Sequence, residues 1–152
     1  NYRHFDIFIG SEMYYDAMCG ANGYDAAEYE KNMNTIRAEG CEIVIFTFGE
    51  KGCRGVYADK YFELPAIEVK VVDTTGAGDV FHGAFDYAYL QGWDAERCAR
   101  FATGVSAIKC TRPGGRSGIP TLGVLEKFLE TGEIDYSEID TRVAHYQHGI
   151  TV

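Results

Sequence analysis

Asp73-Thr74-Thr75-Gly76-Ala77-Gly78-Asp79 is the stretch whose residue types and spacing could do chemistry. Three small residues at 76–78 let the backbone come close to a ligand. Their N–H groups fall where a helix should begin, and donors there lack internal partners. The helix dipole adds partial positive charge, so an anion, above all a phosphate, is stabilised. Asp79 would repel such an anion. Its presence makes sense if it takes a proton from a hydroxyl that attacks the phosphate. The plainer alternative stays open: glycines before a helix are common, and an Asp in the first turn can be a dipole partner only. The segment is not a Walker loop, since no Lys follows the glycines. Nor is it a dinucleotide fingerprint, because the third glycine is missing.

Strands and helices must position this loop. Ile67–Val72 alternates and predicts a strand with one wet face. Helical spacing follows from Asp79 to Leu90. Asp94 can cap a further helix to about Thr111, whose small residues (Ala95, Cys98, Ala99, Ala102) suit close packing on a neighbouring helix. Upstream, Phe5–Gly10 and the apolar Cys41–Phe48 read as buried strands, the latter covered on both faces. Glu12–Cys19 and a segment capped by Asp25 and ending at Gly40 read as helices. Gly55–Leu64 reads as a hairpin. Thr121 starts a helix carrying Val124, Leu125, Phe128 and Leu129. From Thr131 the pattern weakens, and His145–Gly149 shows no periodicity. Alternating strands and helices imply an α/β layered domain.

Composition bounds the rest. The 152 residues suffice for one ordinary domain, and 46% hydrophobic against 24% charged predicts a real core. A formal charge of −9 argues against nucleic acid, whose phosphates call for surplus cations. No apolar run approaches the roughly 20 residues that span a bilayer. The five cysteines are odd in number and lack C-x-x-C spacing. They read as small buried residues in a reducing, cytoplasmic setting rather than as a disulfide framework or zinc site. The chain opens on Asn1 without a Met, so a truncated or processed chain is expected.

Asp73 through Phe85 (D-T-T-G-A-G-D-V-F-H-G-A-F) closely resembles the C-terminal signature of ribokinase-like (PfkB) carbohydrate kinases. Thr47-Phe48-Gly49-Glu50-Lys51-Gly52 looks like that family's strand-end turn near the nucleotide. Arg100 through Pro120 resembles its helix and loop over adenine. The resemblance covers roughly residues 2–130, the later part of such an enzyme. It implies an α/β, layered α/β/α ribokinase-like fold with a mostly parallel central sheet and a small hairpin. Residues 1–131 would be the C-terminal part of the kinase domain, and 132–152 a tail of unknown role.

The resemblance also implies roles. Asp79 would be the general base toward a sugar hydroxyl. Gly76, Ala77 and Gly78 would form the anion hole for the γ-phosphate of ATP. Thr47, Gly49 and Gly52 would line the nucleotide site, and Thr103 and Ser106 would lie near the adenine. Asp73 and the Thr75 carbonyl correspond to a monovalent-cation position, so K⁺ dependence is expected beside ATP and Mg²⁺. The implied partners are a small-molecule sugar and ATP, with a homo-oligomer or a missing N-terminal segment completing the unit. Two positions depart from the pattern. Ser11-Glu12-Met13-Tyr14 stands where many members carry N-x-x-E, which touches Mg²⁺ handling. Asp86 stands where a small or apolar residue is usual, which implies a local packing difference.

The rival expectation is a non-catalytic nucleotide- or phosphate-binding fragment or a degenerate family member. His4, His82, His145 and His148 form no ligand cluster in sequence. Arg112 and Arg116 flank a glycine-rich loop and either meet phosphate or ribose or remain solvated cations.

Overall fold

Strand β2 (Ile43–Thr47) is buried along almost its whole length, as its run of β-branched and aromatic residues demands. The structure, a computed structural model, describes residues 2–148. Strand β1 (Ile7–Ser11) pairs with β2 in parallel, Ile7 opposite Ile43. β3 (Cys53–Tyr57) and β4 (Lys60–Leu64) add antiparallel ladders, giving the order β1-β2-β3-β4. The α/β class stands. The expected mostly parallel sheet, however, is a mixed one, because the hairpin supplies two of its three ladders.

The described chain forms two compact units. Of the described residues, the first holds 2–66 and 94–99, the second 67–93 and 100–148. In the first, helix α1 (Glu12–Asn22) and helix α2 (Tyr29–Ala38) pack on the sheet. Their core joins Tyr15, Met18, Met33 and Ile36 to Val44, Phe46 and Phe48. Ser11 caps α1 through the Tyr14 N–H, and Gly23 ends it in the left-handed region at φ 69°. Asp25 lies outside α2, three residues before its N-cap Glu28. Its carboxylate accepts from Ala27 in a local turn instead. Asn32 is buried, and its amide nitrogen donates to the Tyr15 hydroxyl and the Asp25 carbonyl.

The second unit carries helix α3 (Ala77–Leu90), most of helix α4 (Ala95–Cys110), helix α5 (Leu122–Thr131) and helix α6 (Ser137–His148). The Asp94 carboxylate accepts from the Arg97 N–H, as a cap should. The close packing expected of α4 is made at Gly104. A Cβ there would come within 2.8 Å of Leu125 and 2.9 Å of Leu129 on α5. All five cysteines are buried, as expected of small apolar packers.

Two expectations fail. Ile67–Val72 is coil, and among the described residues no strand pairs with it. Alternation marks two faces but cannot supply a neighbouring edge. The N–H groups of Val72 and of Asp73 just beyond it are held by the Cys110 carbonyl. Conversely, the weakly patterned tail forms α6. Its anchors include the fully buried Ile139, the Arg112–Asp140 ion pair and a bond from Arg142 to the Ile119 carbonyl, so no amphipathic stripe announces it. Residues 149–152 lie outside the described part, Gly149 of the unpatterned stretch among them.

Candidate active site

Asp73 holds the second unit's two glycine-rich loops together. One carboxylate oxygen accepts from the Thr75 N–H at 2.8 Å, and the other from the Gly114 N–H at 2.7 Å. Bonds from the amide and side chain of Thr75 come first in holding this carboxyl down at about 2. The Gly114 amide follows, and the nearby Lys109 charge adds a little against a small opposing effect of burial. Gly76 then turns the chain at φ 72°, where only glycine is unstrained. A Cβ on it would come within 3.3 Å of Gly115.

The turn closes when Ala77 donates its N–H to the Thr74 carbonyl, and α3 begins. The Ser106 hydroxyl of α4 donates to the Ala77 carbonyl at 3.1 Å. Val80 makes the first bond of the helical ladder, to Gly76. The N–H groups of Gly78 and Asp79 therefore lie in the first turn, with no carbonyl of a preceding turn to receive them. Of the three amides assigned to the anion hole, the one at Ala77 is committed to the loop itself.

A cavity of about 770 Å³ opens beside this loop, within the usual size for small-molecule sites. Thr75, Gly76 and Asp79 line it together with Arg116. Asp79 is exposed to it rather than turned into the core. Apolar wall is supplied by Tyr87 and Phe101, whose rings stack with centroids 5.8 Å apart. Phe101 and Val105 are the cavity residues of α4; Thr103 and Ser106 are not among its lining. The two arginines part company as well. Arg116 lines the cavity, whereas Arg112 grips Asp140 with two nitrogens and lies 3.7 Å over the Tyr136 ring.

The position that the resemblance assigns to a monovalent cation is filled by a side chain. Lys109 is fully buried, and its ammonium donates to the Asp73 carbonyl at 2.9 Å and to the Thr75 carbonyl. The oxygens that a K⁺ would take are thus occupied by a side chain of this protein, and the donor set does not fit the free ion. Sequence reading missed Lys109, yet the signal was there. It follows Val105 by four residues, Ala102 by seven and Cys98 by eleven, on the buried stripe of α4.

The remaining candidates belong to the first unit. Thr47 donates its hydroxyl to the Gly10 carbonyl at 3.4 Å. Gly49 opens a single 3₁₀ turn at φ 58°, and Gly52 leaves it at φ 85°. A Cβ on Gly52 would lie 2.0 Å from the Leu64 carbonyl oxygen, so the fold itself requires that glycine. Ser11 is used as a helix cap, and Glu12 pairs with Lys51 at 2.6 Å on the surface. Asp86 is exposed on α3, outside the cavity lining. Among the described residues no three His, Cys, Asp or Glu side chains gather as metal ligands, and no helix is long and apolar enough to cross a membrane.

A signature loop, its helix and this fold define a class. The model of the pfkB family carbohydrate kinases matches residues 1–122, and the chain belongs to that family. It is 42% identical over 81 residues to an uncharacterized sugar kinase of Archaeoglobus fulgidus, covering 53% of this chain and 32% of that protein. The crystal structure of ribokinase from Thermotoga maritima superposes with a TM-score of 0.76 at 33% identity, covering 86% of this chain and 44% of that one. An E. coli chain solved in complex with ATP and Mg²⁺ gives a TM-score of 0.71 at 30% identity, with 82% and 39% covered. The chain thus spans less than half the length of these relatives.

Proposed function

We propose that the protein to which these residues belong is an ATP-dependent sugar kinase, transferring the γ-phosphate of ATP to a sugar hydroxyl. The observation that carries this reading is the exposure of Asp79 on the cavity that Gly76 and Arg116 also line. Asp79 accepts the proton of the acceptor hydroxyl as its oxygen attacks phosphorus and ADP departs. The first-turn amides of α3 face the charge that spreads over the transferring oxygens, helped by the helix dipole. Arg116 supplies the compensating positive charge. Tyr87 and Phe101 offer flat apolar surface for a nucleobase. Thr47, Gly49 and Gly52 remain candidates for the nucleotide on the strength of the family pattern. Mg²⁺, when bound, neutralises phosphate charge. Phosphate and water oxygens commonly supply most of its ligands.

The test is turnover of the complete gene product with ATP, Mg²⁺ and a panel of sugars, beside Asp79→Asn. Loss of a positioned base should cost about 10²- to 10⁴-fold in kcat while ATP affinity holds. Equal turnover by the Asn variant overturns the assignment. One observation favours a second reading, a nucleotide-binding but non-catalytic relative: Ser11 and Glu12, in the departing motif, are engaged in a helix cap and an ion pair. Calorimetric ATP binding without phosphoryl transfer to any sugar would select it.

A further inference from the structure

We infer that the Lys109 ammonium is a built-in replacement for the monovalent cation at the phosphate loop, and that this protein is indifferent to K⁺. A lysine with no exposed surface is uncommon, because burying an ammonium without partners is costly. Here it donates to two backbone carbonyls, those of Asp73 and Thr75, which belong to the very turn that leads into α3. It carries the single positive charge a bound K⁺ would supply, and it is tethered to α4, so it cannot be washed out.

The consequence for the loop follows from peptide geometry. In a trans peptide the C=O and the next N–H point in opposite directions, and the described chain has no cis bonds. Drawing the Thr75 carbonyl toward Lys109 therefore turns the Gly76 N–H the other way, and Gly76 lines the cavity. Lys109 is a positioning residue: it touches no reacting atom but fixes the orientation of an amide that faces the ligand. Ser106, three residues earlier on α4, holds the Ala77 carbonyl in the same manner. One helix thus sets three alternate peptides of the loop, those that follow Asp73, Thr75 and Ala77.

This inference rests on the phosphate-loop reading, but its test does not require turnover. Crystals of the complete gene product soaked in rubidium should show no anomalous peak between the Asp73 and Thr75 carbonyls. Its thermal midpoint should not change when tetramethylammonium is exchanged for K⁺. Lys109→Ala should gain both a rubidium peak at those carbonyls and a midpoint that rises with K⁺. Lys109→Met, which keeps the bulk without the charge, should lose about tenfold or more in affinity for ATP, on the scale of one lost electrostatic contact. K⁺ or ammonium should restore nucleotide affinity to Lys109→Ala but not to Lys109→Met, whose side chain fills the space. A rubidium peak or K⁺ stabilisation in the parent protein overturns the inference, as does unchanged ATP affinity in Lys109→Met. Should the variants fail to fold, the two measurements on the parent still decide. A protein that shows these cation properties yet phosphorylates no sugar would sink the kinase reading and leave this one standing.

Discussion

Gly52 in the sheet unit and Gly78 in the loop–helix unit are glycines for opposite reasons. In the sheet unit, Gly10 and Gly55 are required by packing, since a Cβ on either would come within 2.5 Å of an aromatic ring. Gly52 is required by its own backbone and by the Leu64 carbonyl. In the loop–helix unit, Gly78 has ordinary helical φ, and nothing lies within 4 Å of its would-be Cβ. Glycine costs about 1 kcal/mol relative to alanine inside a helix. The same residue thus serves the fold at Gly52, as it does at Gly104 of α4, and works against local stability at Gly78. Gly20, Gly83 and Gly123 are equally open, so what singles out Gly78 is its place in the first turn of α3, beside Gly76 and Asp79.

The largest effect that can break this contrast is expected at Gly52. Gly52→Ala forces a Cβ into the left-handed region and onto a carbonyl oxygen, which should destabilise by about 2–6 kcal/mol, strain and overpacking combined. Urea unfolding measures it. A loss below about 1 kcal/mol would mean that the turn relaxes freely, and Gly52 would then revert to being a ligand-driven glycine.

Asp73 comes next, because it ties two loops with one carboxylate. Its folded value of about 2 lies below the ordinary carboxylate value of about 3.9. The stabilisation is therefore complete above the ordinary value and is lost as pH falls toward about 2. The thermal midpoint of Asp73→Asn should lie below that of the parent at neutral pH, with the gap closing as the medium is acidified through that window. A gap that persists unchanged at the acid end would assign the effect to shape rather than charge. In the sheet unit, Glu63 is also held down, chiefly by the Tyr61 hydroxyl, but it joins neighbours within one hairpin and not two loops. Glu63→Gln should therefore move the midpoint less than Asp73→Asn does.

How far the sequence could reveal each region follows from the same physics. The loop, the start of α3 and the Asp94 cap were legible because local rules govern them: glycine conformations, orphan donors and a carboxylate at a helix start. β2 was legible from its uninterrupted apolar run. Ile67–Val72 misled because strand pairing is a non-local property that alternation alone cannot supply. Lys109 was overlooked because charge is ordinarily a sign of the surface, whereas here its periodic position outweighed its type. α6 was hidden because Ile139, the Arg112–Asp140 pair and the bond from Arg142 to the Ile119 carbonyl, rather than a stripe, hold it.

That pair supplies a smaller effect. Arg112 meets Asp140 with two nitrogens but is partly solvated, so Asp140→Asn should cost about 1 kcal/mol or less. Protease sensitivity should rise near α6, while ATP affinity should not change, since Arg112 lies outside the cavity lining. A fall in ATP affinity would tie α6 to the site after all and blur the division of labour on the second unit's surface.

The smallest change in stability is expected at Gly78, and it has the opposite sign. Gly78→Ala replaces a poor helix former with a good one at an open position. Stability should rise by up to about 1 kcal/mol, a gain of roughly 2–4 °C in thermal midpoint for a domain of this size. Under the proposed function, the added methyl would stand where the phosphate approaches the first turn of α3, so ATP affinity or kcat should fall as stability rises. This trade is what separates a functional glycine from a tolerated one. If Gly78→Ala gains stability and keeps its affinity and turnover, the glycine carries no cost for function, and the anion hole must be built from Gly76 and the Asp79 amide alone. If it loses stability as Gly52→Ala does, the position is structural and the contrast between the two glycines dissolves.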